Sequence, residues 1–105
     1  MRRRGRRPRS NRASPKEEDL MNVFKFPVTD EFYLKLPANT QVLTVQMQDG
    51  VAQMWVAYEG DNLVERHFRV LPTGANLNGK LDKLKYIGTF QPERGLVFHL
   101  FEVLS

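Results

Sequence analysis

The chain contains no cysteine, which excludes disulfide bridges and thiolate metal sites and leaves stability to core packing alone. No apolar run approaches the roughly 18 residues of a membrane span, and the basic N-terminus lacks the apolar stretch of a secretory signal. A protein of the reducing cytoplasm, with no membrane partner, is therefore expected. Serine occurs only at Ser10, Ser14 and Ser105, outside any strand-turn-helix setting in which a nucleophile elbow forms. Histidine is limited to His67 and His99, which without a third ligand make a poor zinc site. The glycines never take the spacing, followed by lysine, of a phosphate loop. No catalytic residue, metal or cofactor is expected, and the protein reads as a non-enzyme.

Charge is divided unevenly. Residues 1–20 hold seven arginines and Lys16 against three acids, with no aromatic residue and only Met1, Ala13 and Leu20 as apolar side chains. Such a segment cannot build a core and is expected to be a disordered tail. From Met21 onward eight basic residues face nine acids, a net of −1, so the overall charge of +4 belongs to the tail. Arg2, Arg3, Arg4, Arg6, Arg7, Arg9 and Arg12 could neutralise phosphates and give salt-dependent, sequence-independent affinity for nucleic acid. Nothing after Met21 adds a basic stripe with interleaved aromatics, so nucleic acid could be held only through the tail. A second origin for the segment is a mis-assigned start. Lys16-Glu17-Glu18 can be encoded by a purine-rich ribosome-binding sequence a few codons ahead of Met21, which would make Met21 the true first residue.

Residues 21–105 have room for one small domain. Short β-rich runs separated by Pro, Gly, Asn and Asp predict an all-β fold, a small sandwich or partly open barrel of about seven mostly antiparallel strands. The expected strands are 22–26, 32–36, 41–48, 51–58, 63–71, 85–90 and 96–103. Asp49-Gly50 supplies the positive φ angles of a two-residue type I′ turn. Pairing Gln48 with Val51 then sets Leu43 opposite Val56, Val45 opposite Met54 and Met47 opposite Ala52 on one apolar face, with Thr44–Trp55 and Gln46–Gln53 on the other. Glu59-Gly60-Asp61-Asn62 reads as a second hairpin, and a Gly60 bulge is needed there to bring Val64, Phe68 and Val70 to the apolar side. Arg66 shares that side, its stem covering apolar surface and its head reaching water. Leu96 to Phe101 is apolar on both parities and reads as a central strand covered on both faces. It is joined to the preceding strand through Gln91 to Gly95, with Gly88 marking a bulge or a close approach. Residues 72–84 form a long loop with at most one helical turn near Leu81 to Leu84.

Several segments carry a resemblance: Phe26-Pro27-Val28-Thr29-Asp30-Glu31, Leu36-Pro37 leading into Val42-Leu43-Thr44-Val45-Gln46, Trp55, Phe68-Arg69-Val70 with Thr73-Gly74, Tyr86-Ile87-Gly88-Thr89-Phe90-Gln91 and Val97-Phe98-His99-Leu100-Phe101-Glu102. Over residues 22–102 the chain resembles a family of small proteins of unknown function encoded by bacteriophages, prophages and bacteria. The resemblance implies a phage or prophage setting and leaves the arginine segment outside. It also implies a His-Pro pair after Thr73-Gly74. Ala75-Asn76 stand there instead, so no histidine chemistry carries over to this loop.

Function concentrates on loops held by a rigid scaffold, which points to the 72–84 loop. An acid-base role for His67 or His99 would need a carboxylate beside it in a cleft. Glu65 shares the strand face of His67, whereas Glu102 lies on the face opposite His99; a structural role is the simpler expectation for both. Thr29-Asp30-Glu31 reads as a turn closed by side-chain to backbone hydrogen bonds. Trp55 projects from the polar face of its hairpin, where the first strand or the long loop would cover it; left uncovered, it would form an interface hot spot with Tyr33 or Tyr86. The residues expected to touch a partner are Trp55, Tyr33, Thr73, Gly74 and Tyr86, and the partner expected is a host or phage protein. The competing functions are nucleic-acid binding through the tail, a small-ligand-binding protein or enzyme using the 72–84 loop, and a virion accessory protein. Edge strands such as 22–26 could pair with a second copy, which Lys25 and Lys35 would oppose.

Overall fold

The computed structural model describes residues 21–104; the expectations for the arginine tail and for a start at Met21 concern residues outside that range. Among the described residues seven strands occur, β1 (Asn22–Pro27), β2 (Glu31–Pro37), β3 (Gln41–Gln48), β4 (Val51–Tyr58), β5 (Leu63–Pro72), β6 (Leu84–Glu93) and β7 (Leu96–Val103), with a 3-10 turn at Leu81–Lys83. They form a three-stranded sheet in the order β1-β4-β3 and a four-stranded sheet in the order β2-β5-β7-β6. All pairings are antiparallel. The fold is the all-β sandwich expected. Leu36, Val45, Met54, Val56, Phe68 and Leu100, drawn from both sheets, make the buried core, and Phe32 stacks on Phe68 at 5.1 Å between ring centroids.

Local turn chemistry sets the first hairpin. Asp49 (φ 52°) and Gly50 (φ 82°) adopt left-handed conformations, and the pairs Gln48–Val51, Met47–Ala52, Gln46–Gln53, Val45–Met54 and Thr44–Trp55 follow as expected. The register then shifts between Val42 and Thr44, so Val42, not Leu43, faces Val56. Leu43 is the extra residue of a bulge and stays 50% exposed. A bulge is easily accommodated here because β3 is an edge strand, free to bend.

The second expected hairpin does not form. β4 and β5 lie in different sheets, and β5 pairs with β2 and β7. Gly60 (φ 87°) serves the turn that carries the chain across the sandwich, rather than a bulge within a ladder. The parity conflict that called for a bulge disappears, because strands in facing sheets share no hydrogen-bond register. Phe68 is buried as expected, but Val64 remains 42% exposed.

Arg66 also departs from expectation. Its Nε donates to Glu102 Oε2 at 2.6 Å, its Nη2 to Glu102 Oε1 at 2.7 Å and its Nη1 to the Thr40 carbonyl at 2.8 Å. Glu102 and Thr40 are buried. The Thr40 hydroxyl in turn donates to the Pro37 carbonyl at 2.6 Å. The fork-shaped guanidinium therefore ties β5, β7 and the β2–β3 connection together. The hydrogen bonding to the Glu102 carboxylate raises the Arg66 pKa above the ordinary arginine value; burial pulls it down, and the carboxylate charge raises it again.

β7 is central, as expected, between β5 and β6. Its inward Leu100 is fully buried, while outward His99, Phe101 and Val103 are half-buried, so coverage differs between its faces. Gly88 pairs with Leu100 beside a register shift at Ile87. A Cβ placed on Gly88 would lie 2.7 Å from Val45 Cγ1 of the other sheet. Both readings of this glycine apply: it flanks a bulge and permits a close approach of the sheets. The Thr29–Glu31 turn forms too, with the Thr29 hydroxyl donating to the Glu31 carbonyl at 3.5 Å and the Asp30 carbonyl accepting from Val70 N–H at 2.8 Å.

Candidate functional site

The alternation that turns Phe32, Leu34 and Leu36 inward turns Glu31, Tyr33 and Lys35 outward from β2. By register, β5 presents Glu65, His67, Arg69 and Leu71 on the same outer face, β7 presents His99, Phe101 and Val103, and β6 presents Leu84, Tyr86 and Thr89. Two histidine arrangements stand on this surface. His67 Nε2 lies 2.6 Å from Glu31 Oε2, and its ring stacks on Tyr33 at 4.2 Å with planes 10° apart. The carboxylate it meets belongs to the neighbouring strand and is not the same-strand Glu65.

Among the described residues His99 has no carboxylate partner. Its Nε2 lies 2.7 Å from the Thr73 hydroxyl and its Nδ1 2.9 Å from the Thr89 hydroxyl. The Tyr86 hydroxyl continues the chain to Thr89 at 2.5 Å. One self-consistent assignment has Tyr86 donating to Thr89, Thr89 to Nδ1, and Nε2–H to Thr73, whose hydroxyl faces the Val97 carbonyl at 3.4 Å. With both ring nitrogens engaged, His99 is a bridge that pins the start of the loop, and Glu102 points to the other face as expected.

The segment from Thr73 to Lys83 folds over this face. Its backbone is held by Thr73 N–H to Val97 O (3.1 Å), Ala75 N–H to Pro72 O (3.1 Å), Lys80 N–H to Leu77 O (3.0 Å) and Lys83 N–H to Lys80 O (3.0 Å). Asn76 Oδ1 accepts from Asn78 N–H at 2.7 Å, an Asx turn that carries Asn78 to φ 55°. Leu104 N–H, donating to Lys83 O at 2.8 Å, anchors the far end.

Between loop and sheet lies a cavity of about 330 Å³. His67, Arg69, Lys80 and Lys83 line it, together with Asn76 and Asn78 and the apolar residues Leu71, Leu77, Leu84 and Val103. Among the described residues, no carboxylate is in the lining. Among the described residues, Arg69, Lys80 and Lys83 enter no ion pair; the two pairs that form are Arg66–Glu102 and His67–Glu31. Glu31 stands opposite Arg69 in the ladder, but its carboxylate is on His67. Asp82 lies between the two lysines in the 3-10 turn without joining the lining.

Of the residues singled out from the sequence, Tyr33, Thr73, Gly74 and Tyr86 belong to this side of the molecule. Tyr33 and Tyr86 are 55% and 57% exposed. Trp55 does not join them. It alternates with buried Met54 and Val56 and so projects from the three-stranded sheet, on the far side of the sandwich. There it is half-buried between Lys25 and Thr44 in register, and a single hot spot with either tyrosine is ruled out. The cations of the cavity were missed in the sequence. The close spacing of Lys80 and Lys83 within the singled-out loop was the available signal, but Asp82 between them and the near-neutral total hid it.

Among the described residues no group of three or more His, Cys, Asp or Glu could hold a metal ion, and no helix is long and apolar enough to cross a membrane. Fold and surface together define a seven-stranded β-sandwich domain with a loop-roofed cavity on one outer face. The chain belongs to the family described as a domain of unknown function, DUF7352, whose match covers residues 21–105. No curated protein and no solved structure is significantly similar to it.

Proposed function

We propose that this domain is a non-catalytic binding module of phage or prophage origin, acting in the bacterial cytoplasm on a negatively charged partner, with the loop-covered outer face of the four-stranded sheet as its working surface. The observation that carries this reading is the meeting of Arg69, Lys80 and Lys83 around one cavity without an acid among its described lining residues, in a domain whose net charge is slightly negative. Three cations near one another raise each other's energy, and a bound anion relieves it. The phage or prophage origin rests on the family resemblance, and a virion accessory role is its structural variant, tested by looking for the chain in purified virions.

The test is to incubate the full chain with lysate of the cells that encode it and identify the retained proteins and small molecules by mass spectrometry. Species kept by the wild type and by Trp55→Ala but lost from Arg69→Glu/Lys83→Glu support the proposal. Species indifferent to charge reversal move the working surface elsewhere. Retention of nothing by the wild type sinks it.

One observation favours a second reading, a small enzyme with His67 as base: its imidazole is held by a carboxylate on a cavity wall. Ligand-induced thermal stabilisation that survives in His67→Ala would remove the imidazole from consideration as a ligand contact.

A further inference from the structure

We infer that the cavity beneath the Thr73–Lys83 loop is a binding site for a small phosphate monoester bearing an apolar or aromatic group. This deepens the proposal that the loop-covered face is the working surface, and rests on it. Its volume of about 330 Å³ lies at the lower end of small-molecule sites, which run from roughly 300 to 1,000 Å³. Arg69 supplies a planar fork and Lys80 and Lys83 supply point charges, a combination suited to a dianionic phosphate better than to a single carboxylate. Asn76 and Asn78 add neutral polar groups to the lining. Leu71, Leu77, Leu84 and Val103 give the rest of the ligand an apolar seat, which a bare inorganic anion would leave unused.

The three cations are exposed, so neutralising them should leave the fold intact. The roof is already ordered by its own hydrogen bonds, which lowers the entropy lost on binding. The arginine-rich residues 1–20 could also attract phosphates, and variants confined to the cavity separate the two sources.

The test uses the full chain with adenosine monophosphate, inorganic phosphate and adenosine as probes, read by calorimetric titration and by the melting midpoint. The expected result is binding of adenosine monophosphate at least about tenfold tighter than either inorganic phosphate or adenosine. Arg69→Gln and Lys83→Gln should each weaken it by about tenfold or more, the loss expected for a charge-assisted hydrogen bond, while the ligand-free melting midpoint stays unchanged. Equal affinity for inorganic phosphate would overturn the apolar seat. Binding that persists in the Arg69→Gln/Lys83→Gln variant would place the anion elsewhere and overturn the site. If none of the probes binds while charge reversal still abolishes retention of a lysate component, the inference fails and the working surface stands; if that retention is also unaffected, both fail.

Discussion

The two outer faces of the sandwich are built from the same strand alternation yet finished differently. On the four-stranded sheet polar side chains are tied into contacts, Glu31 to His67 and Tyr86 through Thr89 and His99 to Thr73, and a hydrogen-bonded loop roofs a cavity lined with cations. On the three-stranded sheet Val23 and Leu43 stand 61% and 50% exposed, Trp55 is half-buried, and the side-chain contacts are the sparser Lys25–Gln48 and Thr44–Gln46 pairs. Ordering an exposed loop costs conformational entropy that surface hydrogen bonds barely offset. The proposed working surface is the face that orders one above uncompensated charge, whereas scattered apolar side chains are what any surface carries.

The comparison breaks most thoroughly if the frame beneath both faces is disturbed. Glu102→Gln leaves the nearly buried Arg66 guanidinium without its counter-charge and should destabilise the domain by about 3–5 kcal/mol, read by urea unfolding. Arg66→Met with Glu102→Leu should recover most of that loss, since the penalty comes from the orphaned charge; a double variant as unstable as the single one would contradict it. Because the guanidinium pKa is raised in the fold, its contribution is fully present below the ordinary arginine value and is lost only as pH rises through the raised one. Unfolding curves of wild type and Arg66→Met should therefore keep the same separation across neutral and mildly alkaline pH as far as arginine titration is concerned.

Next in size is the seam between the sheets. Gly88→Ala would place a Cβ 2.7 Å from Val45 Cγ1 and should cost about 1–3 kcal/mol. In a Val45→Ala background the same change should cost clearly less, giving a non-additive double-mutant cycle; additivity would mean that the contact is relieved by other means. A smaller effect sharpens the contrast directly. Thr89→Val removes a hydroxyl bridging Tyr86 and His99 and should lower stability by about 0.5–1.5 kcal/mol, whereas Thr44→Val on the other face should stay within about 0.5 kcal/mol of wild type. Equal losses would erase the distinction between the faces. The smallest change in stability, again within about 0.5 kcal/mol, is expected for Arg69→Gln/Lys83→Gln, the variant with the largest expected effect on anion binding.

Legibility followed the range of the interactions. All seven strands and the Asp49-Gly50 register were readable because turn residues and period-two alternation are local signals. The bulge at Leu43 was not, since Leu43 and Val42 are equally apolar and either could face Val56. The 59–62 connection was misread because a Gly-Asp-Asn turn looks the same whether it closes a hairpin or crosses between sheets. The site divided in the same way. The loop and Tyr33, Thr73, Gly74 and Tyr86 were singled out, and the first of these tyrosines meets His67 while the second reaches Thr73 through His99 and Thr89. Arg69 was passed over because the other two cations of the cavity, Lys80 and Lys83, lie more than ten positions away in the chain.

By itself the sequence determined the all-β class, the place of each strand to within one to three residues at its ends, and the first hairpin as far as Thr44, because backbone propensity, turn geometry and alternation act over a few residues. Only the tertiary structure decided which strands share a sheet, that Arg66 reaches Glu102 across 36 positions of chain, that Trp55 stands apart from Tyr33 and Tyr86, and that three ordinary surface cations converge on one cavity. These outcomes depend on how the two sheets pack and on where the long loop lands, and that is settled by burying the common core formed by Leu36, Val45, Met54, Val56, Phe68 and Leu100, not by any short stretch of sequence.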